Sequence, residues 1–220
     1  MLEALRRLAS GWDRVATPEG LADFLAARAA FVSQKSTLDY CRARAGVGWP
    51  QLFREDEFGR AMERCRWEAY AAVLGDVGEV ALIYLRHAGF DGPPLAAGLA
   101  GVLGDALLRH PVPSHRRGWD DALAAQAAQL HRALLAPPRP VREVGHGSAR
   151  RVFEVLPIHT NLKAHDREMV TNNIRFLLCS VYAAMESRLD GQALGTALSG
   201  LGATAAPDAA ACAAAPPAPP

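Results

Sequence analysis

No charge of one sign dominates this chain: 24 lysines and arginines stand against 23 aspartates and glutamates in 220 residues. A balance this close to neutral lacks the global field that draws a protein to nucleic acid or to an anionic membrane. Cysteine is sparse, and Cys41, Cys65, Cys179 and Cys212 are too widely spaced to form a C-x-x-C pair, which removes the simplest zinc and dithiol motifs. Free thiols inside helices commonly pack as small hydrophobes. The pattern therefore predicts reduced cysteines and a cytoplasmic location rather than a disulfide framework. Long apolar runs are missing too. The longest, Leu95 to Leu108, holds Asp105 and three glycines and is too short to span a bilayer as a helix. The opening M-L-E-A-L-R-R-L puts Glu3, Arg6 and Arg7 where a secretory signal needs an apolar core.

Catalytic signatures are equally scarce. The pentapeptide G-x-S-x-G, which sets a nucleophilic serine on a strand-to-helix elbow, does not occur, and neither does S-x-x-K. Gly145-His146-Gly147-Ser148 is the nearest approach, with a serine close to a histidine in what reads as a flexible loop. Ser33, Ser36 and His159 are further serine and histidine candidates that only tertiary contacts could assemble. The predicted helices carry no Glu-x-x-His pair of the kind that binds metal inside a bundle. His159 and His165 are six apart and do not share a helix face. Hence neither a metal nor a cofactor is expected, and no residue is assigned to catalysis. The basic doublets Arg116-Arg117 and Arg150-Arg151 read as solvated positions rather than a nucleic-acid signal.

What is present is helical periodicity. Thr17-Pro18 is a helix start, a capping hydroxyl followed by a residue whose missing N–H is tolerated in the first turn. The helix it opens is expected to run to Ala45 and to stop at Gly46. A second, long helix follows the acidic Glu55-Asp56-Glu57 and continues to His87, with Gly75 and Gly78 marking a close crossing or a kink. Asp91-Gly92-Pro93-Pro94 introduces the stretch from Leu95 to Leu108, apolar nearly all round and so expected at the centre of the bundle. Trp119, Leu123, Leu130 and Leu134 mark another amphipathic helix. Arg150–Leu156 is short, and helix is favoured there by context. Asp166 to Leu189 forms the last long helix, with Asp166 as its cap and Gly191 as its stop. The fold class is thus all-α, an irregular bundle of five to six helices. Its parts are an N-terminal arm over 1–16, a helical domain over 17–190 and an Ala/Gly/Pro-rich tail over 191–220, largely disordered by composition.

Two segments, F-V-S-Q-K-S-T-L-D-Y-C-R-A-R-A-G (Phe31 to Gly46) and D-R-E-M-V-T-N-N-I-R-F (Asp166 to Phe176), resemble a poorly characterised bacterial all-helical family. Some of its members are labelled esterase. The resemblance covers roughly residues 24–190 and implies the same all-helical fold, with no site residues to transfer.

Three polar residues interrupt apolar stripes. Lys35 lies four after Phe31 and three before Leu38; Asp76 lies three after Val73 and four before Val80; Asn173 lies three after Val170 and four before Leu177. If their helices meet, an ammonium, a carboxylate and an amide form one partly buried cluster, with Glu79 and Asn172 nearby. Such a cluster is either a structural network or a ligand pocket. The leading expectation is a non-catalytic helical interaction module with a protein partner. An esterase-type hydrolase and a small-molecule-binding bundle built on Lys35, Asp76 and Asn173 are the alternatives. Sequence leaves the oligomeric state open.

Overall fold

The computed structural model describes residues 14–213, and they form an all-α bundle. The Thr17 hydroxyl accepts from the Gly20 amide at 3.2 Å and opens α1 (Pro18–Gln34). A π-turn, Lys35–Asp39, carries the path without a break into α2 (Tyr40–Ala45). Gly46, at φ 56°, then ends it where a side chain would be strained. After the short α3 (Trp49–Leu52) comes α4 (Asp56–His87), then α5 (Pro93–Leu108), α6 (Asp120–Leu135), α7 (His146–Val155), the single turn α8 (Thr160–Lys163), α9 (Arg167–Arg188) and α10 (Gly191–Ala213). Eight of these helices, among the described residues, are six residues or longer, more than the five to six expected. The excess arises because the π-turn divides the first helix and because α7 and α10 lie in stretches too short or too small-sided to stand out by periodicity.

The axis of the bundle is α4. Every residue from Val73 to Ile83 is buried, and α1, α6, α7 and α9 pack around it. This corrects the expectation that α5 is the innermost element. Ala97, Gly101, Asp105 and Leu108 make a stripe of α5 that faces solvent, and its other side buries Leu95, Leu99, Leu103 and Leu107. Alanine and glycine score as apolar yet leave little area in water, so α5 looks central without being so.

The Ala/Gly-rich stretch beyond Asp190 docks as a helix. Asp190 Oδ1 accepts from the Gln192 and Ala193 amides at 3.1 and 3.0 Å, capping α10. Leu194 and Leu198 are fully buried, Gly98 of α5 lies against the Leu198 backbone, and Gly202 lies against the Pro94 backbone. Reciprocal glycines bring two backbones together, so close packing replaces the large side chains the segment lacks. Residues 214–220, the end of the expected tail, lie outside the described residues. Most of the expected arm does too. Val15, however, pairs with the end of α9 in a lone bridge, its amide donating to the Arg188 carbonyl and its carbonyl accepting from Asp190, each at 2.9 Å.

Asp166 does not cap α9 through its side chain. Its carboxylate accepts from the Tyr40 hydroxyl at 2.6 Å and from Arg44, tying the start of α9 to α2. Leu189, in extended conformation, terminates α9 two residues before Gly191.

Candidate functional site

On α4, Asp76 and Glu79 stand three apart and therefore share a face, and each is only 2% exposed. Two carboxylates buried this deeply must find hydrogen bonds or neutralise. Helix α6 supplies them. Gly75 lets α6 come close, since a Cβ there would fall 2.7 Å from Gln129 Oε1. The amide nitrogen of Gln129 then donates to both Asp76 Oδ1 at 2.7 Å and Glu79 Oε2 at 2.9 Å. From the loop after α6, Arg139 Nε donates to Glu79 Oε1 at 2.7 Å. Arg86 holds the end of α6 and the start of that loop by donating to the carbonyls of Ala133 and Ala136 at 3.1 and 2.9 Å.

Glu79 is thereby paired on both oxygens. Asp76 is not: its Oδ2 is buried and has no hydrogen-bond partner. Burial pushes the Asp76 carboxyl up to about 6; the Glu79 charge adds to this, while the nearby Ser148 hydroxyl and the Gln129 amide work against it. In this structure the Ser148 hydroxyl donates at a long 3.3 Å to the Gly145 carbonyl.

Around Asp76 opens a cleft of about 620 Å³, walled by α4, α6, the Ala136–Arg139 loop and the first turn of α7. Gly145 precedes α7 at φ 102° and no side chain caps the helix. The amides of its first turn are therefore open to the cleft, where a helix amino terminus favours negative charge. Arg132, Arg150 and His146 also line it and make no ion pair among the described residues. The cleft has an acidic floor and a cationic rim.

The structure does not gather the three residues singled out by phase. Lys35 is exposed and pairs with Asp39 at 3.0 Å on its own helical path. The buried stripe of α1 runs through Leu21, Leu25, Ala29 and Val32 and on to Ser36 of the π-turn, which turns Phe31, at 41% exposed, and Lys35 toward water. Asn173 is exposed, as is Asn172, because α9 buries Val170, Ile174, Leu178, Val181 and Met185. With Leu178 in place of Leu177 on that stripe, Asn173 falls about 100° away from its centre on a 3.6-residue helix. Only Asp76 occupies a buried position, together with Glu79.

Gln129, Arg139 and the placement of Ser148 beside Asp76 are what sequence reasoning missed. Gln126, three after Leu123 and four before Leu130, interrupts their stripe as Asp76 does its own, whereas Gln129 falls about 100° from Leu130 and carries no such signal. Arg139 sits in a proline-rich break without periodicity, and nothing local marks it. Ser33 and Ser36 donate to helix carbonyls, and His159 Nδ1 accepts from the Asn161 amide at 3.3 Å, so these three form no joint site. Ser148 has no histidine among its hydrogen-bond partners.

A second buried carboxylate, Glu68, accepts from Arg116 Nε at 2.7 Å and Arg151 at 2.6 Å, and lies 3.0 Å from the His115 ring nitrogen. Against its burial, the two guanidiniums and the His115 hydrogen bond hold its carboxyl down to about 2. This carboxylate is saturated, and it ties α4 to α7 and to the segment before α6.

No family model, curated protein or solved structure matches the chain. Among the described residues, no group of three or more histidine, cysteine, aspartate and glutamate side chains is placed to hold a metal ion, and no helix is long and apolar enough to cross a membrane.

Proposed function

We propose that this chain is a non-catalytic binding module whose bundle holds a small dipolar ligand in the Asp76 cleft. One observation carries the reading: Asp76 Oδ2 is buried, unpartnered and at the wall of a cleft of ligand size. A buried acceptor without a donor costs about 1–3 kcal/mol, and a ligand N–H or O–H placed there recovers it. The rim sets the other end of the ligand. Arg132, Arg150 and the free first-turn amides of α7 favour an anionic group, carboxylate or phosphate. A molecule with an ammonium at one end and an anion at the other matches both. Isothermal titration with O-phosphoethanolamine and 4-aminobutyrate tests the reading. Saturable binding that weakens at least tenfold in Asp76→Asn supports it, and no binding by any such dipolar probe contradicts it.

A second reading is ester hydrolysis, favoured by Ser148 lying in the first turn of α7 beside Asp76. First-turn amides of that kind can stabilise an oxyanion, although Asp76 would have to serve as base in place of histidine. Release of nitrophenolate from short-chain esters, lost in Ser148→Ala, would favour it over the binding module.

A further inference from the structure

A separate cavity of about 350 Å³ lies between α1 and α4 and shares no lining residue with the Asp76 cleft. One wall is Ala26, Ala27 and Ala30 of α1, which present methyl groups only. Trp67 and Tyr70 of α4, with His110 just past α5, make the other. Neighbouring rings hold Trp67 in place: Trp119 at 6.0 Å, Tyr70 at 6.2 Å and 88°, and His110 at 5.4 Å. The Tyr70 hydroxyl lies 3.3 Å from His110 Nε2, and burial raises the phenol to about 12, so it stays protonated and can donate to that nitrogen. These rings are fixed before any ligand arrives, which lowers the ordering cost of binding.

The polar groups of the cavity have one sign. No aspartate or glutamate lines it, whereas Arg66 does, and Arg66 makes no ion pair or hydrogen bond among the described residues. Ser33 and Gln34 complete the lining. A wall of methyl groups facing a wall of rings accepts a flat ring by stacking and edge contacts. A lone guanidinium beside it selects an anion. We propose that this cavity is a binding site for a small aromatic carboxylate, its ring between Ala27 and Trp67 and its carboxylate on Arg66.

The test is titration of the full chain with 2-naphthoate, followed by tryptophan fluorescence and calorimetry, with 2-naphthylmethanol and cyclohexanecarboxylate as uncharged and non-aromatic controls. Expected is saturable one-to-one binding of 2-naphthoate, with both controls at least tenfold weaker. Arg66→Gln, at an exposed position, should cost about tenfold, the size of one lost charged contact. It should also abolish the preference for the carboxylate over the alcohol. Ala30→Phe, which fills the slot, should abolish binding, and Asp76→Asn should leave it unchanged. Absence of saturable binding would overturn the proposal. So would 2-naphthoate affinity that is the same in Arg66→Gln and the wild type. If Ala30→Phe proves misfolded by circular dichroism, the Arg66 variant alone decides.

Discussion

Asp76 and Gln129 meet carboxylate to amide at 2.7 Å across the contact of α4 with α6, and the same amide nitrogen reaches Glu79. One neutral side chain thus holds two buried acids, leaving one oxygen of Asp76 without a donor. Gln129→Leu keeps the volume and removes the donor. It is expected to cost about 2–3 kcal/mol, since two buried acceptors lose their partner, and to lower the melting temperature in a thermal scan. A Gln129→Leu protein as stable as the wild type would mean that water replaces the amide.

Asp76 also sets a pH dependence. Its carboxyl is raised to about 6 in the fold, from an ordinary value near 3.8, so the folded state binds the extra proton between those values. Stability from this group is full below about pH 4 and is lost as pH rises through about 6. The loss is on the order of 2–3 kcal/mol. Asp76→Asn should remove the loss, so that urea midpoints of mutant and wild type diverge from pH 4 to 7. Parallel curves would contradict the assignment.

Glu68 behaves in the opposite sense. Held near 2 by Arg116, Arg151 and His115, it contributes stability above about pH 4.5 that is lost as pH falls through about 2. Glu68→Gln removes the charge that Arg116 and Arg151 share, although Arg116 keeps Asp121 and Arg151 is half-exposed, and should cost about 1–3 kcal/mol at pH 7, measured as a drop in the denaturation midpoint. The gap between mutant and wild type should close toward pH 2.

The starts of α1 and α4 and the long α9 were legible in the sequence, whereas the π-turn at Lys35–Asp39 was not, and the reasons are physical. Thr17-Pro18, Gly46 and the acidic start of α4 are local signals and fall where expected. The innermost helix was misjudged because hydropathy does not distinguish a buried leucine from an exposed alanine, as Ala97 and Gly101 illustrate. Helical phase placed Asp76 correctly because valines flank it on both sides. It misplaced Lys35 and Asn173 because, of the apolar residues that defined their stripes, Phe31 is exposed and Leu177 only partly buried at the edge of the face centred on Ile174 and Leu178. Arg139 was invisible, since its partner lies 60 residues away and its own segment has no period.

Lys163 is a testable case of burial without a counter-charge. Its ammonium donates to the carbonyls of Phe153 and Leu156 at 2.7 and 3.0 Å and so closes the end of α7. Burial lowers its pKa. Lys163→Met removes the donor from the Phe153 carbonyl, while the Leu156 carbonyl keeps the Ile158 amide at 2.8 Å, and should cost about 1–2 kcal/mol, with faster amide exchange in the last turn of α7 than in α4. Equal exchange in mutant and wild type would show that the cap is unimportant.

The central claim is that the Asp76 cleft takes a dipolar ligand, and a titration of carboxyl-labelled protein with O-phosphoethanolamine, followed by NMR, tests it most directly. The account predicts that the Asp76 carboxyl resonance and the amides of His146, Gly147 and Ser148 shift together on one saturable curve, and that Asp76→Asn flattens it. Shifts confined to surface arginines, or a saturable curve untouched by Asp76→Asn, would contradict it.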